Sequence, residues 1–157
     1  MIREATNADL PDLQRMAREF HYAARMKEWI LYEDAEEHWR DWIANALEDD
    51  GWMLMVADEP ENGVIGMAAA TLFGPFGFPA PLFCQGYVWV DPACRGHGVG
   101  GALLDCVEKW AAASGSVTVG MGTPVGEGIR SAPGGKTLRS KGYLLREKQY
   151  TKGVESR

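Results

Sequence analysis

The chain has 157 residues, 46% of them hydrophobic and 24% charged, enough to bury the core of one globular domain, residues 1–157, without disulfides or a structural metal. Its net charge of -6 argues against general nucleic-acid binding, and its three cysteines lack the C-x-x-C spacing of zinc sites. No apolar run approaches the roughly 20 residues that span a bilayer and no secretory signal is recognisable, so we expect a cytoplasmic protein without a membrane segment.

The first half of the chain predicts a strand, two helices and a hairpin. Thr6 and Asp9 form a capping-type start to the first helix, in which apolar residues recur at helical spacing. A segment rich in Pro, Asn and Gly between two apolar runs is typical of the turn of an antiparallel hairpin. The predicted ranges are a strand at 2–5, helices with apolar residues from 10 to 20 and at 34–47, and hairpin strands at 52–57 and 64–72.

The second half begins with a loop, residues 74–81, that together with its edges holds four of the five phenylalanines. Such an apolar loop covers either its own core or a second subunit, so a homodimer is one hypothesis. Beyond it, the pattern predicts a strand at 85–90, a helix at 100–113 and a parallel strand at 116–120. Residues 129–141 are expected to be irregular, and residues 144–154 are long enough for one or two strands.

The segment from Tyr87 to Gly101 runs from a strand through a glycine-rich turn into a helix. Glycines let the backbone approach a phosphate closely, and the start of a helix adds a partial positive charge. Arg95 can donate a charge-assisted hydrogen bond to the same anion. The segment therefore predicts a phosphate-binding loop, although glycines also occur in turns that bind nothing.

Two other phosphate-binding motifs fit this chain less well. Gly96, Gly98 and Gly101 satisfy G-x-G-x-x-G, but no acidic residue ends the following strand and too little chain remains for a doubly wound sheet. The run 134–137 is similar to the end of a Walker A loop, yet Arg130 stands where the first glycine of that motif is required.

The six residues from Arg95 to Gly100 match R/Q-x-x-G-x-G/A, the motif of the GNAT superfamily of N-acetyltransferases, which the chain resembles over nearly its whole length. The opening residues 2–6 and the ending around Gly142 look like acetyltransferases encoded by phages and prophages. The resemblance implies an α/β (α+β) fold in a single domain. It would have a mixed, mostly antiparallel sheet of six to seven strands flanked by three to four helices.

The resemblance also implies acetyl-CoA as co-substrate, no metal, and transfer of the acetyl group to a primary amine of a small molecule or protein through a tetrahedral intermediate. Backbone N–H groups of the loop would hold the pyrophosphate, and β-strand residues would pair with the pantetheine arm. The N–H of Val88 would face the thioester carbonyl. The implied cofactor-binding residues are Val88, Val90, Arg95, Gly96, His97, Gly98, Val99, Gly100 and Gly101.

The usual catalytic side chains of the family are absent. Cys84 stands where many members have a glutamate base, and Leu138 where many have a tyrosine acid. Tyr143 or Tyr150 is the predicted general acid. A second interpretation is that catalysis depends only on proximity and the oxyanion contact. A non-catalytic CoA-binding or protein-interaction module is the alternative function. The other polar groups that could substitute are Tyr87, Glu33, His21 and His97.

Overall fold

The computed structural model describes residues 1–23, 35–74, 83–122 and 135–145. These ranges contain one five-stranded sheet whose strands lie in chain order. The first four strands are antiparallel, and the fifth is parallel to the fourth. The strands are β1 Ile2–Glu4, β2 Trp52–Glu59, β3 Gly63–Phe73, β4 Phe83–Val90 and β5 Thr118–Met121, and the helices are α1 Leu10–Ala23, α2 Ala35–Glu48, α3 Val99–Ala113 and α4 Gly135–Ser140.

This architecture confirms the α+β class, the mixed and mostly antiparallel sheet, and the three to four helices. The predicted six to seven strands are wrong for the described ranges, which hold five. The difference comes from residues 144–154, because 144 and 145 are not in a strand and the others lie outside the described residues. Residues 129–141, expected to be irregular, include the short helix α4.

The start of α1 is organised by Asp9, as the capping pattern predicts. The N–H and hydroxyl of Thr6 donate to the Asp9 carboxylate at 2.8 and 3.0 Å. The same carboxylate, in a residue only 5% exposed, accepts two 2.8 Å hydrogen bonds from the Arg3 guanidinium. Arg3 also donates to Asp58 of β2. The Arg3 guanidinium therefore holds the pKa of Asp9 well below its usual range and ties together β1, α1 and β2.

Apolar side chains fill both sides of the sheet. On one side, α1 and α2 pack through residues such as Leu13, Met16 and Ile43. On the other side, α3 packs through Leu103 and Val107, which are fully buried. No helix in the described ranges is long and apolar enough to cross a membrane.

Candidate functional site

The sheet opens between β4 and β5. The two strands pair from Phe83 with Thr118 to Gly86 with Met121, and within the described ranges β4 beyond Gly86 has no partner on that side. A cavity of about 630 Å³ lies where the strands part. Its walls come from β4, the glycine-rich loop, the end of β5 and α4, so it collects residues that are far apart in the chain.

Strand alternation decides which backbone groups of β4 face this cavity. The N–H of Asp91 donates to the carbonyl of Ile65, at 2.9 Å, so Asp91 and every second residue before it turn their backbone groups towards β3. Val88 and Val90 lie between those residues and therefore turn their N–H and C=O groups away from β3. Both residues line the cavity.

The glycine-rich loop ends at the first turn of α3. Gly96 and Gly98 have φ angles of 90° and 87°, in the left-handed region that favours glycine, and no atom beyond the adjoining residues lies within 4 Å of where a Cβ would stand. The N–H of Ala102 makes a 3.0 Å bond to the carbonyl of Gly98, which marks the first turn of the helix. The N–H groups of residues 99–101 precede this bond, have no acceptor within the helix, and belong to residues that line the cavity.

Arg95 lies beside the cavity but is already engaged. Its Nε donates to the carbonyl of Val90 at 2.8 Å, and its guanidinium carbon lies 4.7 Å from the centre of the Trp89 ring. A contact with an anion in the cavity would therefore use the terminal Nη groups. The same hydrogen bond occupies a backbone carbonyl that the sequence reasoning assigned to cofactor pairing.

The structure gathers the predicted cofactor-binding residues around the cavity, with one exception. His97 instead lines a separate groove of about 300 Å³, next to Met1, Asp58 and Glu59. Asp58 and Glu59 line the same groove, and His97 is not among the described residues that line the larger cavity. A contact between the His97 backbone and a phosphate stays a prediction.

Arg15 supports the loop from the other side of the sheet. It donates to the carboxylate of Asp91 at 3.0 Å and to the carbonyl of Val64 at 3.2 Å, and it also pairs with Glu19. The hydrogen bond with Asp91 raises the pKa of the guanidinium above its ordinary value. Arg15 thereby fixes the end of β4, where the loop begins. Sequence reasoning missed it, because no local signal links residues 76 positions apart.

The two positions of the usual catalysts have different surroundings. Cys84 is buried, and burial raises the pKa of its thiol, so it stays protonated at neutral pH. Leu138 of α4 lines the cavity beside Thr137, a hydroxyl that the sequence reasoning did not single out. Lys141 forms an ion pair with Asp105 of α3, which holds this end of α4 in place.

Neither predicted tyrosine acid is among the described residues that line the cavity. The Tyr143 hydroxyl is buried and makes no hydrogen bond in the described part of the chain. Burial, and after it the negative charge of Glu108, raises the pKa of this hydroxyl above its ordinary value. Tyr150 and Glu33 lie outside the described residues. The assignment of either tyrosine as the acid stays a prediction.

Comparison with known proteins agrees with this geometry. The Acetyltransferase (GNAT) family matches residues 10–124, and the chain belongs to this family. It is therefore an acetyltransferase by descent, as the motif at Arg95 indicated. A phage or prophage origin stays a prediction. No curated protein matches the chain by sequence.

Solved structures share the fold at low sequence identity. An aminoglycoside 6'-N-acetyltransferase AAC(6')-Ig from Acinetobacter haemolyticus is 20% identical with a TM-score of 0.66, covering 99% of each chain. AAC(6')-Iy in complex with a bisubstrate analogue is 17% identical with a TM-score of 0.68, covering 99% of this chain and 98% of that one. A predicted acetyltransferase with acetyl-CoA from Clostridium acetobutylicum is 16% identical with a TM-score of 0.67, covering 98% and 95%. At these identities the likeness establishes the fold alone.

Proposed function

We propose that the chain, acting as a single domain, transfers an acetyl group from acetyl-CoA to a primary amine of a small molecule or protein by direct attack through a tetrahedral intermediate. One observation carries this proposal. The cavity between β4 and β5 has unpaired strand backbone along one wall and the N-terminus of α3 at its end. Solved relatives of the same fold include structures with CoA and with acetyl-CoA.

The residues present fit the cofactor. The bare loop at Gly96 and Gly98 leaves room for a phosphate at van der Waals distance, and the N–H groups of Val99 to Gly101 can donate to its oxygens. Arg95 adds a positive charge beside them. The N–H and C=O of Val88 and the N–H of Val90 can pair with the amides of the pantetheine arm, whereas the Val90 carbonyl already accepts a hydrogen bond from Arg95. No metal is part of the proposal.

The chemistry needs a nitrogen–carbon bond to form, the carbon–sulfur bond to break, and a proton to pass from amine to sulfur. The Val88 N–H would stabilise the oxyanion, a contribution of about 3 kcal/mol per donor in acyl-transfer enzymes. An amine with a pKa near 10.4 must first lose a proton. Because no Asp, Glu or His is among the described residues lining the cavity, water is the proposed acceptor. Tyr143 or Tyr150 is the proposed donor to the sulfur.

The competing function is a non-catalytic module that binds CoA or a protein partner. The observation in its favour is that Leu138 occupies the cavity wall where the resemblance places an acid. The two functions differ in one measurable respect: the module binds acetyl-CoA but releases no free thiol with any amine.

The test is calorimetric titration of acetyl-CoA into the protein and into two matched variants. Gly98→Glu places a carboxylate in the phosphate position and should abolish binding, a loss of at least about 100-fold, because like charges would meet in the loop. Gly63→Glu is the control, since Gly63 also has a positive φ, of 68°, and open space around its Cβ position, but lies in the β2–β3 turn.

Gly63→Glu should bind acetyl-CoA as the parent protein does. Absence of heat with the parent protein, or equal loss of affinity in both variants, would contradict the assigned cofactor site. Thiol release in a panel of amines then separates the transferase from the module.

A further inference from the structure

The side of β4 that faces α1 carries a row of side chains, and the described helices cover this row only at one end. Trp89 is buried against Phe20, whereas Tyr87, Gln85 and Phe83 extend beyond it along alternate positions of the strand. Tyr87 is 36% exposed, and its ring meets that of Phe20 edge to face at 5.9 Å. We call Phe83, Gln85 and Tyr87 the β4 strip.

The β4 strip borders the cavity between β4 and β5 at Gly122. A Cβ at Gly122 would lie 3.7 Å from the Tyr87 ring and 3.9 Å from the Gln85 amide nitrogen. Gly122 also lines the cavity between β4 and β5. Phe83 covers the neighbouring Gly120 so closely that a Cβ there would lie 2.5 Å from its ring. The strip and the cavity are thus two parts of one continuous surface.

In the part of the chain that the structure describes, the three strands next to this surface carry mostly apolar side chains and no negative charge. None of the residues of β3, β4 or β5 is an Asp or Glu. The acidic residue that follows β4, Asp91, is bound to Arg15. A ligand with several ammonium groups would lose their hydration here without gaining a carboxylate partner from these described strands. A flat apolar group, by contrast, finds aromatic rings to pack against and the neutral amide of Gln85.

We propose that the β4 strip binds the body of the acceptor, and that the acceptor is a small primary amine carrying an aromatic ring and a single ammonium group. This inference rests on the proposed function. The acceptor ring packs on Tyr87 and Phe83, and its amine lies over Gly122, at the mouth of the cavity. The Tyr87 ring, which lies beside Gly122, attracts the positive charge of the amine.

The test compares three amines at fixed acetyl-CoA, measured by thiol release. Phenethylamine has the ring and one charge, n-butylamine has one charge and no ring, and kanamycin has several charges. We expect kcat/KM for phenethylamine to exceed the other two by about tenfold or more, the effect of one good aromatic contact.

Three variants assign the preference to the strip. Tyr87→Ala should raise the KM for phenethylamine about tenfold and leave the KM for acetyl-CoA within about twofold, because it removes the ring and no cofactor contact. Tyr87→Phe keeps the ring and should restore most of the lost affinity. Val117→Ala is the control, since Val117 is 75% exposed and precedes β5 at the end that is paired with Phe83, away from the cavity.

Two outcomes overturn the inference and leave the proposed function standing. One is turnover of kanamycin equal to that of phenethylamine. The other is an unchanged KM for phenethylamine in Tyr87→Ala. If this variant also converts a dimer to a monomer, the strip is a contact between two copies of the chain. Failure to bind acetyl-CoA, or binding with no turnover of any amine, overturns the inference together with the proposed function.

Discussion

Among the residues that the structure describes, Asp9 is the one charged side chain that is buried. It keeps its charge because Arg3 donates two hydrogen bonds to it and Thr6 two more. Replacing it by Asn leaves Arg3 without its main partner. We expect Asp9→Asn to lower the free energy of unfolding by about 2 kcal/mol at pH 7, less than the loss for a fully buried pair because the Arg3 side chain is 32% exposed.

The ion pair of Asp9 with Arg3 should make the free energy of unfolding depend on pH. The pKa of Asp9 in the folded protein lies below its unfolded value of about 4, so its stabilisation is complete above that pH and is lost as the pH falls towards the folded value. Urea unfolding should show that the difference in free energy of unfolding between the parent protein and Asp9→Asn decreases as the pH falls from 7 to 2.5. Asp41→Asn, at an exposed position on α2, is the control and should change little. A difference in free energy of unfolding that stays constant with pH would contradict the lowered pKa of Asp9.

At the scale of elements, α4 determines what stands at the cavity wall. Six residues cannot form a stable helix alone, so its position depends on contacts with the rest of the chain, of which the ion pair between Lys141 and Asp105 is one. That docking presents residue 138 to the cavity, where the resemblance places a tyrosine acid. We expect Leu138→Tyr to raise kcat about tenfold, because the leaving sulfur gains a nearby proton donor, although less than the roughly 100-fold or more of a well-positioned general acid.

The matched control is Leu138→Phe, which adds the ring without the hydroxyl and should not raise kcat. A pH profile supplies the second readout, because the gain in Leu138→Tyr should disappear as the phenol loses its proton near pH 10. Equal effects of the two variants would show that the ring alone acts, and would count against an acid at this position.

Elements with local signals were predictable from the sequence. The hairpin of β2 and β3 follows from its turn residues, the start of α1 from Thr6 and Asp9, and the turn before α3 from its closely spaced glycines. What could not be predicted depends on distant contacts. The strands β4 and β5 separate because their pairing ends at Gly86. The hydrogen bond from Arg15 to Asp91 joins α1 to the end of β4. The helix α4 was missed because prolines and glycines around it obscure any periodic pattern.

At the scale of the whole molecule, two packed layers share one sheet. Leu13 represents the layer of α1 and α2, and Leu103 the layer of α3, with each side chain almost fully buried. We expect Leu13→Ala and Leu103→Ala each to lower the free energy of unfolding by about 3 kcal/mol, the usual cost of a buried cavity of this size. If the layers form a single domain, each variant should still unfold in one transition seen alike by fluorescence and circular dichroism.

The two variants should differ in ligand binding, because only α3 carries the N-terminus that faces the cavity. Leu103 contacts the sheet at Gly66, where a Cβ on the glycine would lie 3.2 Å from the Leu103 Cδ1. Truncation of Leu103 therefore weakens the packing of α3 on the sheet. We expect Leu103→Ala to weaken acetyl-CoA binding about tenfold by calorimetry and Leu13→Ala to leave it within about twofold, since a small misplacement of binding groups is costly. Equal losses in both variants would mean that the α3 layer does not position the loop independently of the opposite layer.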